Sequence, residues 1–157
     1  MRIGFGNDIH RLESGKPLIL GGVEIESELG AVGHSDADAL LHAITDALLG
    51  ALALGDIGSH FSDKDEKWKN ADSEIFLAEA VRLMKAENYK IANVDSTVNL
   101  EKPKLRPHIE KMRAVIARIL EVELNCVSVK AKTGEKVDAV GQSLAVKAEA
   151  VVLLTKI

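Results

Sequence analysis

Apolar and polar residues alternate along the first eleven positions, with Ile3, Phe5 and Asn7 on one face. This period of two predicts a strand over 1–11. Pro17 to Glu26 reads as two short strands around the Gly21-Gly22 turn, and 27–37 as loop. The period then changes. Leu40, Leu41, Ile44, Leu48 and Leu52 recur at helical spacing and predict a helix from about Asp38 to Leu52, with Ser35 and Asp36 as candidate caps. Asp38, His42 and Asp46 stand four residues apart and share its polar side. The stretch 53–71 is a polar loop, and a loop of that length within a compact domain is usually functional or disordered. A second helix is expected over 73–87 and a strand over 90–100. A third helix over 107–121 opens on Pro107, where a missing N–H costs nothing. Strands over 124–132 and 144–156 complete the chain. The sum is an α+β fold, a sandwich of one mixed β-sheet with helices on one face. With no repeat, linker or low-complexity tract, residues 1–157 form one domain.

Composition narrows the function classes. The chain is 46% hydrophobic but only 3% aromatic, so aliphatic side chains fill the core and few rings are available to stack on bases. Twenty basic against 24 acidic residues leave a net charge of −4, which gives no global field for nucleic acid or anionic lipid. An anionic substrate would therefore need a local device, and a metal ion is the obvious one. The single cysteine, Cys126, excludes an internal disulfide and a paired-cysteine metal site, and precedes an alternating strand pattern that suits a buried thiol. No signal-like segment opens the sequence. The longest apolar stretch, Ala47 to Gly55, falls far short of the ~20 residues of a membrane helix. The chain reads as cytoplasmic and bacterial, without transit or signal peptide.

Four constellations carry candidate chemistry. Asp8 and His10, two apart on a strand, project side by side. His42 lies between Asp38 and Asp46, either of which is placed to hold its second ring nitrogen from outside a metal shell. Two imidazoles and one carboxylate leave a metal open to substrate. That suits Zn²⁺ as a Lewis acid or Fe²⁺ in a facial triad, and not a structural zinc with four protein ligands. Taken singly, His10 and His42 also fit solvated surface positions. Next, Gly33-His34-Ser35-Asp36 enters the His42 helix, where free N–H groups favour phosphate; plain capping by Ser35 or Asp36 is the simpler reading. The third is Gly55-Asp56-Ile57-Gly58 with Phe61-Ser62-Asp63: its glycines permit close backbone approach and Asp56 offers an acceptor to hydroxyls, although a simple turn has the same composition. Finally, Lys130 and Lys132 share a strand face leading into Thr133-Gly134-Glu135. Lys and Thr suit phosphate oxygens, and Glu suits a Mg²⁺ carrying a diphosphate. There is no P-loop and no GxSxG elbow.

These residues together resemble the 2-C-methyl-D-erythritol 2,4-cyclodiphosphate synthase family. The resemblance is carried by Gly6-x-Asp8-x-His10, the run from Gly33 through Asp38 and His42 to Gly50, Gly55-Asp56-Ile57-Gly58, Asn93-x-Asp95, Pro103-Lys104-Leu105, Pro107-His108-Ile109 and Lys130-Ala131-Lys132-Thr133-x-Glu135. It covers essentially the whole chain in order. It implies cyclisation of 4-diphosphocytidyl-2-C-methyl-D-erythritol 2-phosphate with release of CMP, a step of non-mevalonate isoprenoid synthesis, in a homotrimer with active sites between subunits. It further implies Zn²⁺ on Asp8, His10 and His42, and Mg²⁺ or Mn²⁺ on the diphosphate and Glu135. His34 and Thr133 would steady the phosphates in the transition state. Substrate contacts implied with them are Ser35, Asp56, Ile57, Gly58 and the loop Phe61, Ser62, Asp63, Lys64 and Asp65. Leu100, Pro103, Lys104, Leu105, Arg106, Ala131 and Lys132 would line a cytidine pocket. The reaction needs no strong general base, because a phosphate is already a nucleophilic anion near neutrality. The chain departs from the family pattern at Asn7, Ala139 and Gln142, where many members carry Phe, Phe and Arg. Gln142 lacks the guanidinium's charge and fork, so isoprenoid diphosphate binding on the trimer axis is not expected. Rival readings are a facial-triad Fe²⁺ oxygenase, a trimer using zinc structurally, and a zinc phosphodiesterase giving an open-chain product.

Overall fold

The computed structural model describes residues 1–62 and 64–157. Strand β1 (Arg2–Ser14) runs three residues further than its alternation predicts. It is followed by β2 (Leu18–Leu20) and β3 (Val23–Ile25), the expected pair around Gly21-Gly22, and by β4 (Leu29–Val32). β4 corrects the expected loop over 27–37: it pairs antiparallel with the far end of β1, Ser14 opposite Leu29 and Arg11 opposite Val32. Helix α1 (Ala39–Ala51) comes next, then a single turn α2 (Ile57–His60), a 3₁₀ turn Glu66–Trp68 and helix α3 (Ser73–Ala86). The stretch 53–71 is thus not a plain loop. β5 (Tyr89–Asn99), a 3₁₀ turn Arg106–His108, α4 (Ile109–Leu120), β6 (Val127–Lys132) and β7 (Ala145–Lys156) complete the chain. Cys126 ends a short 3₁₀ turn ahead of β6 and is half-buried rather than buried.

The five-stranded sheet has the order β4-β1-β7-β5-β6, and only β5 and β6 are parallel, joined through α4. The sheet is mixed and the helices pack on one face, as the alternation predicted. Val146, Ala148, Ala150, Val152 and Leu154 of β7 turn inward against α1, as do Val94, Ser96 and Val98 of β5. The other face stays open: Ile3 is 72% exposed, Phe5 58% and Ile9 56%. Among the described residues, no helix is long and apolar enough to cross a membrane.

Two features bring β1 onto α1. Gly4 and Gly6 face the helix so closely that a methyl group on Gly6 would lie 2.1 Å from the Ala43 carbonyl, and one on Gly4 1.8 Å from that of Ala47. α1 itself is buried on nearly every side, not along one stripe: Leu40, Leu41, Ile44, Leu48 and Leu49 are fully enclosed, and Thr45 is too, its hydroxyl donating to the Leu41 carbonyl at 2.8 Å. The cap is Asp38, not Ser35 or Asp36. Its carboxylate accepts from the N–H groups of Leu40 and Leu41, and also from Gly21 and Gly22 in the β2–β3 turn, where both glycines have positive φ. Asp38 is therefore a buried tie between hairpin and helix, and does not share a solvent-facing side with Asp46.

Candidate metal centre and its pocket

The close contact between β1 and α1 places the side chains of alternate β1 residues against the first turns of the helix. Asp8 and His10 share the helix-facing side of β1, and His42 points back at them from α1. Asp8 Oδ2 lies 2.8 Å from His10 Nε2 and 2.9 Å from His42 Nδ1, and the two nitrogens are 3.3 Å apart. One ligand atom from each residue falls within 4.8 Å of the others, a group able to hold a metal ion. His10 Nδ1 is 3.0 Å from the Val32 carbonyl, which only accepts, so Nδ1 carries a proton and Nε2 is the nitrogen that would give its lone pair to an ion. The donor set of two imidazoles and a carboxylate fits an open divalent-cation site.

The electrostatics agree with that fit. Burial pushes the Asp8 carboxyl up, but hydrogen bonds and charge from His10 and His42 outweigh it and hold the group well below the usual carboxylate range. Burial would lower the His10 imidazolium, yet its bond to Asp8 and the Asp8 charge raise it above the ordinary value. The cluster therefore attracts positive charge, which a cation supplies in place of protons.

The expected partners of the second His42 nitrogen are not the ones found. Asp46 accepts the Ile57 N–H at 2.7 Å, and Asp38 is committed to the four N–H groups described above, with burial pushing its carboxyl up to about 6. His42 Nε2 instead lies 2.8 Å from Ser73 Oγ at the start of α3 and 3.2 Å from Ser35 Oγ. Spacing of i±4 named carboxylates on the same helix, whereas the neighbours of this nitrogen come from α3 and from the loop that enters α1.

A cavity of about 370 Å³ opens beside the cluster, lined by His10, His34, Ser35, His42, Ile57, Gly58, Phe61, Trp68 and Phe76. The three constellations around Asp8, His34 and Asp56 thus meet in one place. His34 Nε2 lies 3.2 Å from the Asp65 carbonyl, and Asn70 N–H donates to the His34 carbonyl at 2.8 Å, so the 65–70 segment is strapped to this loop. Asp56 caps α2 through the Ser59 N–H and hydroxyl, bonds that hold its carboxyl below the usual range, and its side chain remains exposed. Ser62, Lys64 and Asp65 lie on the exposed strap; Asp63 lies outside the described residues.

Sequence reasoning named Phe61 but missed Trp68 and Phe76, which complete an aromatic wall with it. Phe61, Trp68 and Phe76 pack with ring centroids 4.6 to 5.6 Å apart, and Phe76 sits 6.0 Å from the His42 ring. Three of the chain's five aromatic side chains gather here, and in so aliphatic a sequence that clustering between 61 and 76 was the available signal.

The remaining predicted residues lie elsewhere. Pro103 and Lys104 line a second cavity of about 1060 Å³ with Glu101, Lys102, His108 and Glu28, and its lining shares no residue with the first. Leu100 and Leu105 turn their side chains into the core, with 3% and 4% exposure. Arg106 is exposed in the 3₁₀ turn. Ala131 is half-buried and Lys132 exposed at the end of β6; beyond them the Thr133 hydroxyl donates to Glu135 Oε1 at 2.7 Å. Glu101 accepts the Gly134 N–H at 3.0 Å, tying this turn to the second cavity. Within the sheet, β6 stands three strand spacings from β1, about 14 Å, so one chain does not bring Thr133 and Glu135 onto the Asp8 cluster.

Comparison with known proteins gives a consistent picture. The model of the YgbB family matches residues 1–155. The 2-C-methyl-D-erythritol 2,4-cyclodiphosphate synthase of Neisseria gonorrhoeae is 54% identical over 157 residues, covering 100% of this chain and 98% of its own. A solved 2C-methyl-D-erythritol-2,4-cyclodiphosphate synthase in its CDP-bound form superposes with a TM-score of 0.91 at 44% identity, covering 98% of this chain and 100% of that one. The CDP complex of IspF from Plasmodium falciparum superposes with a TM-score of 0.87 at 37% identity, covering 99% and 96%.

Proposed function

Because the chain belongs to the YgbB family, whose close relatives are 2-C-methyl-D-erythritol 2,4-cyclodiphosphate synthases, we propose that it closes the same ring. The enzyme converts 4-diphosphocytidyl-2-C-methyl-D-erythritol 2-phosphate to the 2,4-cyclodiphosphate. An oxygen of the 2-phosphate bonds to the β-phosphorus while the bond to the CMP oxygen breaks, and CMP leaves with that oxygen and its electron pair. The observation that carries this reading is the convergence of Asp8, His10 and His42 beside a pocket that also holds His34, Ser35 and Gly58.

Two anions must meet in this reaction, so the protein's work is positioning and charge compensation. Asp8, His10 and His42 hold Zn²⁺, and Glu135 meets a Mg²⁺ or Mn²⁺ carried by the diphosphate. Such cations neutralise the phosphates as they approach. His34 and Thr133 donate to phosphate oxygens, and Ser35 adds a hydroxyl at the mouth of α1. Asp56 accepts from the erythritol hydroxyls while Ile57 and Gly58 offer backbone. The strap Phe61, Ser62, Asp63, Lys64 and Asp65 covers the sugar, and the aromatic wall keeps water from it. Pro103, Lys104 and Arg106, the backbone of Leu100 and Leu105, and Ala131 with Lys132 receive the cytidine diphosphate.

The active form is a homotrimer, with each site built from the β1–α1 side of one copy and the β6 edge of the next. Support for this comes from the 14 Å gap within one chain (about three strand spacings) and from the exposed apolar side chains Ile3, Phe5 and Ile9 on the open sheet face. Isoprenoid diphosphate is not expected on the axis, because Gln142 lacks the charge and fork of the guanidinium many members carry there. Residues 1–157 work as one domain, in the bacterial cytoplasm. The test is ³¹P NMR of the protein with substrate, Zn²⁺ and Mg²⁺. Cyclic diphosphate and CMP, abolished by His42→Ala, are expected. An open-chain product carrying water oxygen, or unchanged substrate with both metals bound, overturns the reading.

A further inference from the structure

His42 reaches the cluster through Nδ1, so the use of that nitrogen depends on where the imidazole proton sits. The far side of the ring settles this through a chain of partners that neither the family resemblance nor the periodicity named. His42 Nε2 lies 2.8 Å from Ser73 Oγ, and Ser73 is fully buried. The Ser73 hydroxyl hydrogen is directed at Asp36 Oδ1 in a short bond. Asp36 is itself fixed: its carboxylate accepts from the N–H of Ser73 at 3.0 Å and of Asp38 at 3.1 Å, and its own N–H donates to the Ala71 carbonyl at 3.0 Å.

An ionised carboxylate only accepts, so Ser73 must donate its one hydrogen to Asp36. Its lone pairs then remain for His42, whose Nε2 must be the donor. The direction of every bond in the series on the Nε2 side is thereby set, and Nδ1 is the nitrogen whose lone pair an ion would take in place of the proton shared with Asp8. We propose that Ser73, polarised by Asp36, is a positioning residue that fixes the tautomer and ring orientation of His42 and so sets the metal affinity of the centre. Ser35 Oγ, 3.2 Å from the same nitrogen, accepts the Ala37 N–H and borders the pocket, so its hydroxyl hydrogen is free for a ligand. The two serines divide the labour, one behind the metal ligand and one in front of the substrate. Because Ser73 opens α3 and Phe76 one turn later packs on the His42 ring, α3 orients this ligand from two directions.

This inference rests on the metal reading proposed above, and the experiment separates the two. Zn²⁺ affinity is measured by chelator competition for the wild type, Ser73→Ala and Ser73→Thr, with ¹⁵N NMR of the histidine rings of the zinc-loaded protein. The wild type binds Zn²⁺ and shows a His42 Nε2–H protected from solvent exchange. Ser73→Ala weakens binding roughly 10- to 100-fold and exposes that proton, the range seen when an outer hydrogen-bond partner of a metal-bound histidine is lost. Ser73→Thr, which keeps the hydroxyl, restores both. A wild type that binds no metal defeats the metal reading itself. A wild type that binds metal but exchanges the His42 Nε2–H freely, or a folded Ser73→Ala that binds as tightly as the wild type, overturns the role of Ser73. The wild-type NMR measurement decides the matter even where Ser73→Ala does not fold.

Discussion

The carboxylate of Asp46 accepts the Ile57 N–H at 2.7 Å, joining the helix that carries His42 to the turn that carries Asp56 and Gly58. Burial raises the Asp46 carboxyl above its ordinary value, and the Ile57 N–H offsets part of that rise. Asp46→Ala leaves the N–H at the start of α2 without its partner, which costs about 1–3 kcal/mol locally. The expected result is a KM for substrate raised about tenfold, as that free energy implies, with Zn²⁺ affinity unchanged and Asp46→Asn close to wild type. An equal loss of Zn²⁺ affinity would mean that Asp46 acts through His42 instead.

The raised His10 and the lowered Asp8 set the pH dependence of metal loading. In the metal-free protein the folded His10 holds its proton more tightly than the unfolded chain. That contribution is fully present below the ordinary imidazole pKa and is lost as pH rises through the raised value. The ion has the opposite preference, since it displaces that proton, while Asp8 remains a carboxylate throughout. The rise in Tm caused by Zn²⁺ should therefore grow from pH 6 to pH 8, and a Tm shift that is flat or falls over this interval would contradict the assignment. Differential scanning calorimetry of metal-free and Zn²⁺-loaded protein measures it directly.

Gly6→Ala tests the close approach that delivers Asp8 and His10. The added carbon meets the Ala43 carbonyl at 2.1 Å and the Ala47 nitrogen at 2.6 Å, both of them backbone atoms of a helix enclosed on nearly every side. β1 must then lift from α1, at a cost of about 3 kcal/mol, the upper part of the range for overpacked cores. Tm should drop by about 6–12 °C, and Zn²⁺ affinity should fall with it because two of the three ligands ride on β1. A stable Gly6→Ala protein with normal affinity would show that the strand and helix can separate without disturbing the site.

The open sheet face gives the test of assembly. Phe5 and Ile9 are more than half exposed, on the face of β1 opposite Asp8 and His10. Phe5→Glu with Ile9→Glu should convert a species of three times the chain mass to one of single mass in sedimentation equilibrium, with activity lost and metal binding retained. A wild type that sediments at single mass and still turns over would defeat the shared-site reading.

The sequence made legible what local period controls. The alternation of β1 placed Asp8 beside His10, the Gly-Gly turn marked the β2–β3 pair, and Pro107 sits at the entry to α4. What it left obscure depends on partners far along the chain. β4 is four residues with a glycine, and becomes a strand only because the end of β1 is there to pair with it. Ser35, Asp36 and Asp38 are all residues that cap helices; Asp38 is selected because Gly21 and Gly22 also present N–H groups to it. Helical spacing named Asp38 and Asp46 as supports for His42, and Ser73, 31 residues away, takes that place because α3 packs against α1.

The enclosure of α1 bears on how the protein matures. A helix walled in by β1, β7, β5 and α3 cannot present His42 to the cluster until those elements have closed around it. An ion held there would join a fold already formed around it, in contrast to small zinc modules that are unfolded without metal. A newly made chain would pass through a finished but empty form, whose loading would follow metal supply in the cell.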